Sequence, residues 1–127
     1  MLDSIAPFFI VRDVRAAAAF YCEKLGFGLA LTVPEGEPFF GIVRRDAVQI
    51  LLKEISPEVG PLPNRERHPW ARWDAFVHTS QAEAVAAELI ARGVGLYRPL
   101  SRTDDGLYGF EVQDADGYVL FFGSPRG

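Results

Sequence analysis

Cysteine is almost absent from this chain of 127 residues: Cys22 is the only one, so no disulfide can form within the chain. Disulfides are typical of oxidising compartments, and their exclusion agrees with a reducing one. The first residues, Met1 to Ser4, lack the basic start and apolar core of a secretory signal peptide. No apolar run approaches the roughly 20 residues that a membrane-spanning helix needs. We therefore expect a cytoplasmic protein with no membrane partner.

Positive charge is also scarce. The chain has 13 Lys and Arg against 17 Asp and Glu, which gives a net charge of −4, and the basic residues form no continuous stripe. A nucleic-acid binding protein needs such a stripe to neutralise phosphates, so we predict no nucleic-acid partner. A small neutral or cationic ligand is more compatible with this acidic field.

The short motifs that identify common catalytic and cofactor sites are missing as well. The sequence contains no Gly-rich phosphate loop, no Ser-His-Asp order and no zinc-ligand spacing. Cys22 has no neighbouring His or Arg pattern, and we interpret it as a buried, unreactive thiol. Motifs therefore predict neither a catalytic residue nor a cofactor.

What the sequence does contain is an internal repeat. In the first half, Asp13 suits a helix N-cap and Gly26 ends the Ala-rich helix that follows. In the second half, Ser80 and Glu83 match a capping box, and Gly93 ends a second Ala-rich helix. One strand-like run precedes each helix and three follow it, so each half has the order βαβββ. We predict an α+β fold of two such modules, each a curved mixed sheet with its helix on the convex side.

Apolar alternation and the intervening turn residues predict the strands. In the first module they cover residues 5–11, 28–33, 39–43 and 48–52. In the second they cover residues 73–78, 95–100, 110–113 and 118–122, and the last two form a hairpin across Ala115-Asp116-Gly117. We predict a single domain over residues 1–127, with the first module at about 1–55 and the second at about 72–124.

A linker at about residues 53–72 joins the two modules. Four prolines and a glycine exclude a regular element across most of it. Two interpretations of its aromatic and basic end, residues 65–73, stay open. Either it is a crossover strap that packs Trp70 and Trp73 on the core, or it is a wall or lid of a ligand cleft.

Two segments of the chain resemble the vicinal oxygen chelate superfamily. One runs from Val11-Arg12-Asp13-Val14 through Ala19-Phe20-Tyr21 to Leu25-Gly26-Phe27, and the other is the hairpin from Phe110 to Tyr118. This superfamily includes glyoxalase I, extradiol dioxygenases, fosfomycin-resistance transferases and bleomycin-resistance proteins. The resemblance covers nearly the whole chain and implies the glyoxalase/bleomycin-resistance fold, in which two modules form a cleft. It does not define a reaction, because one fold hosts many chemistries.

The resemblance also locates the metal ligands that metal-dependent members carry on four strands. By their spacing to the motifs, these positions fall at Ala6, Leu51, Asp74 and Phe121. Only Asp74 has a side chain that binds a divalent cation, whereas catalytic metal sites typically use three or more protein ligands. The resemblance is therefore closer to the metal-free bleomycin-resistance branch, whose known members bind a ligand without converting it. We predict no metal site.

Six residues are candidates for ligand contact, because spacing or strand alternation places them at the expected cleft. The aromatic ones form a floor for a flat or apolar ligand, or fill the cleft as core. Glu111 and Gln49 contact the ligand, or they are polar partners across neighbouring strands. Asp74 binds a ligand, or it is a structural carboxylate paired with Arg72 or Arg67. His78 is an acid or base, or a solvated residue at a strand end. The six candidates are Phe8, Gln49, Asp74, Phe76, Glu111 and Phe121.

The leading functional hypothesis is a metal-independent small-molecule binding protein that sequesters its ligand, as bleomycin-resistance proteins do. The alternative is a vicinal oxygen chelate enzyme, a lyase, isomerase or dioxygenase, with an atypical metal site. A third hypothesis is an interaction module that keeps only the fold. The resemblance also implies a homodimer, and C₂ dimers are the commonest oligomers.

Overall fold

The structure is a computed structural model that describes residues 1–126. The chain divides into two compact units, Met1–Leu62 and Pro63–Gly127. The boundary between them falls inside the segment that the sequence identified as a linker. Its first part therefore belongs to the first unit, and its aromatic and basic end belongs to the second.

The first unit has the predicted order βαβββ. Its elements are β1 (Phe8–Ile10), α1 (Val14–Leu25), β2 (Gly28–Val33), β3 (Phe40–Arg45) and β4 (Val48–Lys53). The strands form one sheet in the order β1-β4-β3-β2, in which β1 and β4 are parallel and the other pairs are antiparallel. This arrangement confirms the first predicted module.

Helix α1 begins and ends where the sequence indicated. Asp13 is the N-cap, and its carboxylate accepts a hydrogen bond from the amide of Ala16 at 3.1 Å. Gly26 ends the helix at φ 74°, a left-handed conformation that favours glycine. The buried side of the helix packs on the sheet and is formed by Val14, Ala17, Ala18, Tyr21 and Leu25.

The second unit repeats this order after one additional helical turn. Its elements are α2 (Asn64–Arg67), β5 (Ala75–His78), α3 (Ala82–Ala91), β6 (Arg98–Arg102), β7 (Leu107–Gln113) and β8 (Val119–Pro125). The sheet order is β5-β8-β7-β6, with β5 and β8 parallel. Two units of the same topology confirm the predicted pair of βαβββ modules with mixed sheets.

The predicted capping box at Ser80 and Glu83 is wrong. Helix α3 begins at Ala82, and its N-cap Gln81 makes no side-chain capping bond. The hydroxyl of Thr79 accepts from the amide of Gln81 at 3.0 Å instead, so a different side chain satisfies the start of the helix.

Strand β6 starts three residues later than predicted, at Arg98 instead of Gly95. The register shifts between Arg98 and Ser101, where Pro99 has no N–H to donate to the neighbouring strand. The hairpin between β7 and β8 matches the prediction. Asp114 accepts from the amides of Asp116 and Tyr118, both at 2.9 Å, and stabilises that turn.

Each sheet has a helix-covered face and a second face, which we call its open face. In the first unit, alternation directs the fully buried Val43, Ile50 and Leu52 to the helix side. The open face of that unit carries a row of paired residues across the four strands: Phe8, Leu51, Ile42 and Leu31. Among residues 1–126, no helix is long and apolar enough to cross a membrane.

Candidate functional site

The open face of the second unit brings three of the predicted ligand-contact residues together. Phe76 pairs with Phe121 across β5 and β8, Phe121 pairs with Glu111 across β8 and β7, and Glu111 pairs with Arg98 across β7 and β6. Because paired residues of neighbouring strands lie on the same face, these four side chains form one row. The alternation of side chains along the strand predicts that Glu111 faces away from the helix, and Glu111 lies on that face.

Trp73 joins this row and forms an aromatic cluster with it. Its ring stacks on Phe121 with centroids 4.5 Å apart and planes inclined by 29°. Phe76 lies 5.1 Å from Phe121 and meets Trp73 edge-on at 5.7 Å. These separations lie in the range of favourable aromatic pairs.

A pair of glycines lets Phe121 lie against the sheet. Gly109 and Gly123 are cross-strand partners, and a Cβ at either position would overlap a backbone carbonyl oxygen. The same Cβ atoms would come within 2.6 and 2.8 Å of the Phe121 ring. Phe121 is therefore covered on both sides and only 1% exposed. It supports the aromatic surface from below, whereas the half-exposed Phe76 belongs to the accessible part.

Glu111 is the acidic residue of this row, and it is almost completely buried at 4% exposure. Its Oε2 accepts a hydrogen bond from the indole Nε1–H of Trp73 at 2.9 Å. The Nε of Arg98 lies 3.9 Å from the same oxygen. A buried carboxylate needs such partners, because burial without them is costly. Glu111 thus fixes the orientation of the Trp73 ring and forms an ion pair with Arg98 on this face.

Asp74 has a structural position. Its Oδ1 accepts from the amide of Asn64 and its Oδ2 accepts from the amide of Val119, both at 2.8 Å. Asp74 is a hydrogen-bonded structural carboxylate, as one of the two predicted alternatives had it. The prediction that Arg72 or Arg67 is its partner is wrong. Backbone amides take their place, and Asp74 fastens the linker end to the start of β8.

The aromatic and basic end of the linker makes further contacts within the second unit, in addition to those of Asp74. Arg65 donates to the carbonyl of Gly117 at 2.8 Å, and the side-chain amide of Asn64 donates to the carbonyl of Trp73 at 3.1 Å. The predicted packing of both tryptophans is wrong for Trp70, which is 86% exposed. Trp73 packs on Phe121 and forms a wall of the open face. The sequence prediction did not include Trp73 as a site residue, although its position beside Asp74 was a usable signal.

Phe8 and Gln49 lie on the open face of the first unit. Phe8 is 55% exposed and approaches Phe40 at 6.4 Å between ring centroids. The side-chain oxygen of Gln49 accepts from Arg44, its cross-strand partner, at 3.4 Å. The predicted set is therefore divided, with two residues on the first unit and four on the second.

The residues at the superfamily's metal positions do not fit a divalent cation. Ala6, Leu51 and Phe121 offer no donor atom, and both carboxylate oxygens of Asp74 already accept backbone hydrogen bonds. Among residues 1–126, no group of three or more His, Cys, Asp or Glu is arranged to hold a metal ion. Hard cations need several oxygen or nitrogen ligands, so this donor set cannot replace their hydration shell.

Two other residues singled out in the sequence, His78 and Cys22, do not belong to the aromatic cluster. His78 lies two residues after Phe76 in β5 and therefore on the same open face. His78 is an exposed residue at the end of β5, consistent with a solvated strand end. Cys22 is half-buried on α1, and burial, together with the neighbouring charge of Glu23, raises the pKa of its thiol. A raised pKa leaves less of the reactive thiolate at neutral pH, in agreement with the predicted unreactive thiol.

Comparison with solved structures places this architecture among proteins of known fold. A bleomycin-binding protein from Streptomyces verticillus, solved with copper(II)-bleomycin, has a TM-score of 0.68 at 22% identity, covering 100% of this chain and 99% of that one. TnmS3, an antibiotic-binding protein from Streptomyces sp. CB03234, also has a TM-score of 0.68 at 22% identity, with 99% of both chains covered. A glyoxalase-related enzyme from Clostridium phytofermentans has a TM-score of 0.74 at 14% identity, covering 98% of this chain and 96% of that one.

At these identities the structural likeness shows the fold alone. A search of curated proteins finds no match. The sequence model of the Glyoxalase/Bleomycin resistance protein/Dioxygenase superfamily matches residues 2–122. The chain therefore belongs to the Glyoxalase/Bleomycin resistance protein/Dioxygenase superfamily.

Proposed function

We propose that this protein binds and sequesters a small molecule without a metal ion, in the manner of bleomycin-resistance proteins. One observation carries the proposal: the position where the superfamily places a last-strand metal ligand holds Phe121, which supports an aromatic surface instead. Sequestration needs affinity and no catalytic group. Two structural neighbours are described as bleomycin-binding and antibiotic-binding proteins, and they support this choice among the activities that the fold hosts.

The binding surface in this proposal is the open face of the second unit. Trp73 and Phe76 offer apolar area, and transfer of a ligand's apolar surface from water contributes about 25 cal/mol per Å². Glu111 adds a buried carboxylate beside them, which pairs with Arg98. Phe121 holds the two accessible rings in place, so little conformational entropy is lost when a ligand stacks on them.

Phe8 and Gln49 extend the proposal to the open face of the first unit. That face carries several exposed apolar side chains, with Phe8, Leu31 and Val33 each at least 40% accessible. Soluble monomers seldom leave a large contiguous apolar patch uncovered. We propose that a ligand or a second copy of the chain covers it, that the protein is a cytoplasmic homodimer, and that its two units act as a single domain. A monomeric mass by light scattering at micromolar concentration would contradict the dimer.

Metal analysis of protein purified without chelator tests the proposed function. We expect no stoichiometric metal, no change in melting temperature with a chelator, and ligand binding that survives the chelator. Mass spectrometry of molecules that co-purify, and a thermal-shift screen with metabolites and glycopeptide drugs, would identify the ligand. Zinc, nickel, iron or manganese at near one per chain would contradict sequestration and favour the enzyme alternative.

Matched tryptophan variants test the location of the surface. Trp73→Ala should weaken binding of any ligand found in the screen by tenfold or more, because Trp73 is the largest accessible ring of the open face. Trp70→Ala is the control, since Trp70 is 86% exposed and outside the aromatic cluster. Equal effects of the two substitutions would argue against this surface.

A further inference from the structure

The solvent-facing side of the Trp73 ring is occupied by a side chain of the same protein. The guanidinium carbon of Arg72 lies 4.6 Å from the centroid of the Trp73 ring. The side chain of Arg72 is 40% exposed and its NH2 group lies 3.3 Å from Oδ2 of Asp105, which is 59% exposed. Arg72 is thus a planar cation placed over an indole at the protein surface.

The other contacts of Trp73 leave only this side available to a ligand. Phe121 stacks on the ring at 4.5 Å and is buried, so it covers the inner side. The indole N–H donates to Glu111, which leaves no donor for another molecule. Since Arg72 is exposed and Phe121 is not, Arg72 covers the side of the indole that faces solvent.

We propose that Arg72 is an internal occupant of the stacking position on Trp73, and that the ligand of this face is a planar molecule with delocalised positive charge, which displaces it. This inference rests on the proposed function, since it names the ligand class of the same surface. A guanidinium is flat, delocalised and weakly hydrated, so its preferred position indicates what the surface attracts. The indole is electron-rich because its N–H is hydrogen-bonded to a carboxylate, and a cation over such a ring is favoured.

The contacts that hold Arg72 are weak enough to be displaced. An exposed cation–π contact and an exposed ion pair are each among the weaker interactions in proteins. Removal of Arg72 should therefore tighten binding of a planar cation roughly threefold to tenfold, the range expected when both contacts no longer compete. This direction is opposite to that expected for a residue that holds the ligand.

A matched control is present in the same unit. The guanidinium of Arg126 also lies 4.6 Å from an aromatic centroid, that of Tyr108, and pairs with Glu83 at 3.3 Å. Tyr108 neighbours Gly109 in β7 and so points away from the open face. Arg126→Ala therefore removes the same two types of contact without changing access to Trp73.

The first experiment measures how far Arg72 shields the Trp73 ring from solvent. In a Trp70→Phe background, Trp73 is the only tryptophan, and acrylamide quenching of its fluorescence reports its accessibility. Adding Arg72→Ala should raise the quenching constant about twofold, and adding Arg126→Ala should leave it unchanged. An unchanged constant after Arg72→Ala would overturn the inference, because the guanidinium would not be covering the ring.

The second experiment measures competition, with N-methylquinolinium as the planar cation and quinoline as the neutral ring of similar size. Titrations followed by the indole N–H signal of Trp73 in NMR spectra should show tighter binding of the cation. Arg72→Ala should increase that affinity threefold to tenfold, and should affect quinoline less. Unchanged or weaker binding of the cation by Arg72→Ala would show that Arg72 does not compete with the ligand, and would overturn this inference. Binding of the cation by the parent protein would leave the proposed function intact in that case. Absence of binding to any variant overturns both the ligand class and this surface as the binding site.

Discussion

The two units have the same topology but different open faces. Strand pairing makes the rows equivalent, because β1-β4-β3-β2 in the first unit corresponds to β5-β8-β7-β6 in the second. The first row is aliphatic with one exposed aromatic ring, whereas the second combines aromatic rings with an acid and a base. In order across the strands, Phe8, Leu51, Ile42 and Leu31 correspond to Phe76, Phe121, Glu111 and Arg98.

A few residues outside the rows explain why Phe121 is buried on the second open face, whereas its counterpart Leu51 is only half-buried on the first. Three residues before Phe76 stands Trp73, which packs on Phe121, while Ile5 stands three before Phe8 and is 93% exposed. The glycine pair under Phe121 is replaced in the first unit by Phe40 and Lys53. The same fold therefore leaves an apolar face open in one unit and builds an aromatic cluster on it in the other.

Substitution of the equivalent residues Phe121 and Leu51 tests this comparison most strongly. Phe121→Ala removes a fully buried ring that touches Trp73 and Phe76, and we expect it to lower the free energy of unfolding by about 3–5 kcal/mol. Leu51→Ala should lower it by under about 2 kcal/mol, since Leu51 is only half-buried on its open face. Urea unfolding of both variants measures the difference. Equal losses would show that the first face is covered as well as the second.

The next largest effect is expected at the glycine pair. A Cβ at Gly109 would overlap the carbonyl oxygen of Phe122 and press on the ring of Phe121. Gly109→Ala should therefore lower the free energy of unfolding by about 3 kcal/mol, at the upper end of the usual range for overpacking. Gly95→Ala is the control, because nothing lies within 4 Å of its added Cβ. It should be neutral or stabilising by under about 1 kcal/mol. A neutral Gly109→Ala would mean that Phe121 does not need the glycines.

The sequence predicts the repeated topology well, because helix stops at Gly26 and Gly93 and alternating strands are local signals. It also places Glu111 and Phe76 on the right face, since alternation alone determines the face of a strand residue. It does not predict that Phe121 is covered. That outcome depends on Trp73, which comes from the linker, and on Gly109 and Gly123, whose effect requires the strand register. Long-range packing of this kind leaves no periodic pattern in the sequence.

The partners of Asp74 were missed for a similar reason. The sequence offered nearby arginines as the obvious counterions, but a carboxylate at the start of a strand can satisfy backbone amides that no side-chain pattern reveals. The capping box failed because Ser80 and Glu83 have the right spacing, whereas the helix starts one residue after Gln81 and uses Thr79.

A further prediction concerns Asp74, whose counterpart by position in the first unit is Ala6. Both oxygens of Asp74 accept backbone amides, whereas an asparagine has one oxygen and one NH₂ group. In Asp74→Asn the side-chain NH₂ group would face a backbone N–H that then has no acceptor. The substitution should therefore lower the free energy of unfolding by about 1–3 kcal/mol. Asp13→Asn is the control, because Asp13 caps α1 through one oxygen and asparagine caps helices equally well. Losses of the same size for the two variants would contradict this account of Asp74.

The smallest expected effect concerns Asp105, which holds Arg72 over the second open face. A hydrogen bond from the hydroxyl of Thr103 lowers the pKa of the Asp105 carboxyl, and the charge of Arg72 lowers it further. Because the folded-state pKa is lowered, the ionised carboxylate stabilises the fold above the ordinary aspartate pKa of about 3.9. That contribution is lost as pH falls through the lowered value. The melting temperatures of the parent protein and Asp105→Asn should therefore differ at neutral pH and converge in acid.

Titration of the Asp105 carboxyl by NMR separates the two causes of the lowered pKa. Thr103→Val should raise that pKa more than Arg72→Ala does, because the hydroxyl hydrogen bond is the larger cause. Both substitutions act on an exposed carboxyl, so the effect on the melting temperature should be small in each case. A larger rise with Arg72→Ala would mean that the ion pair, and not the turn, controls Asp105. Arg72 would then be held more firmly over Trp73 than an exposed pair allows, and a planar cation would displace it less readily.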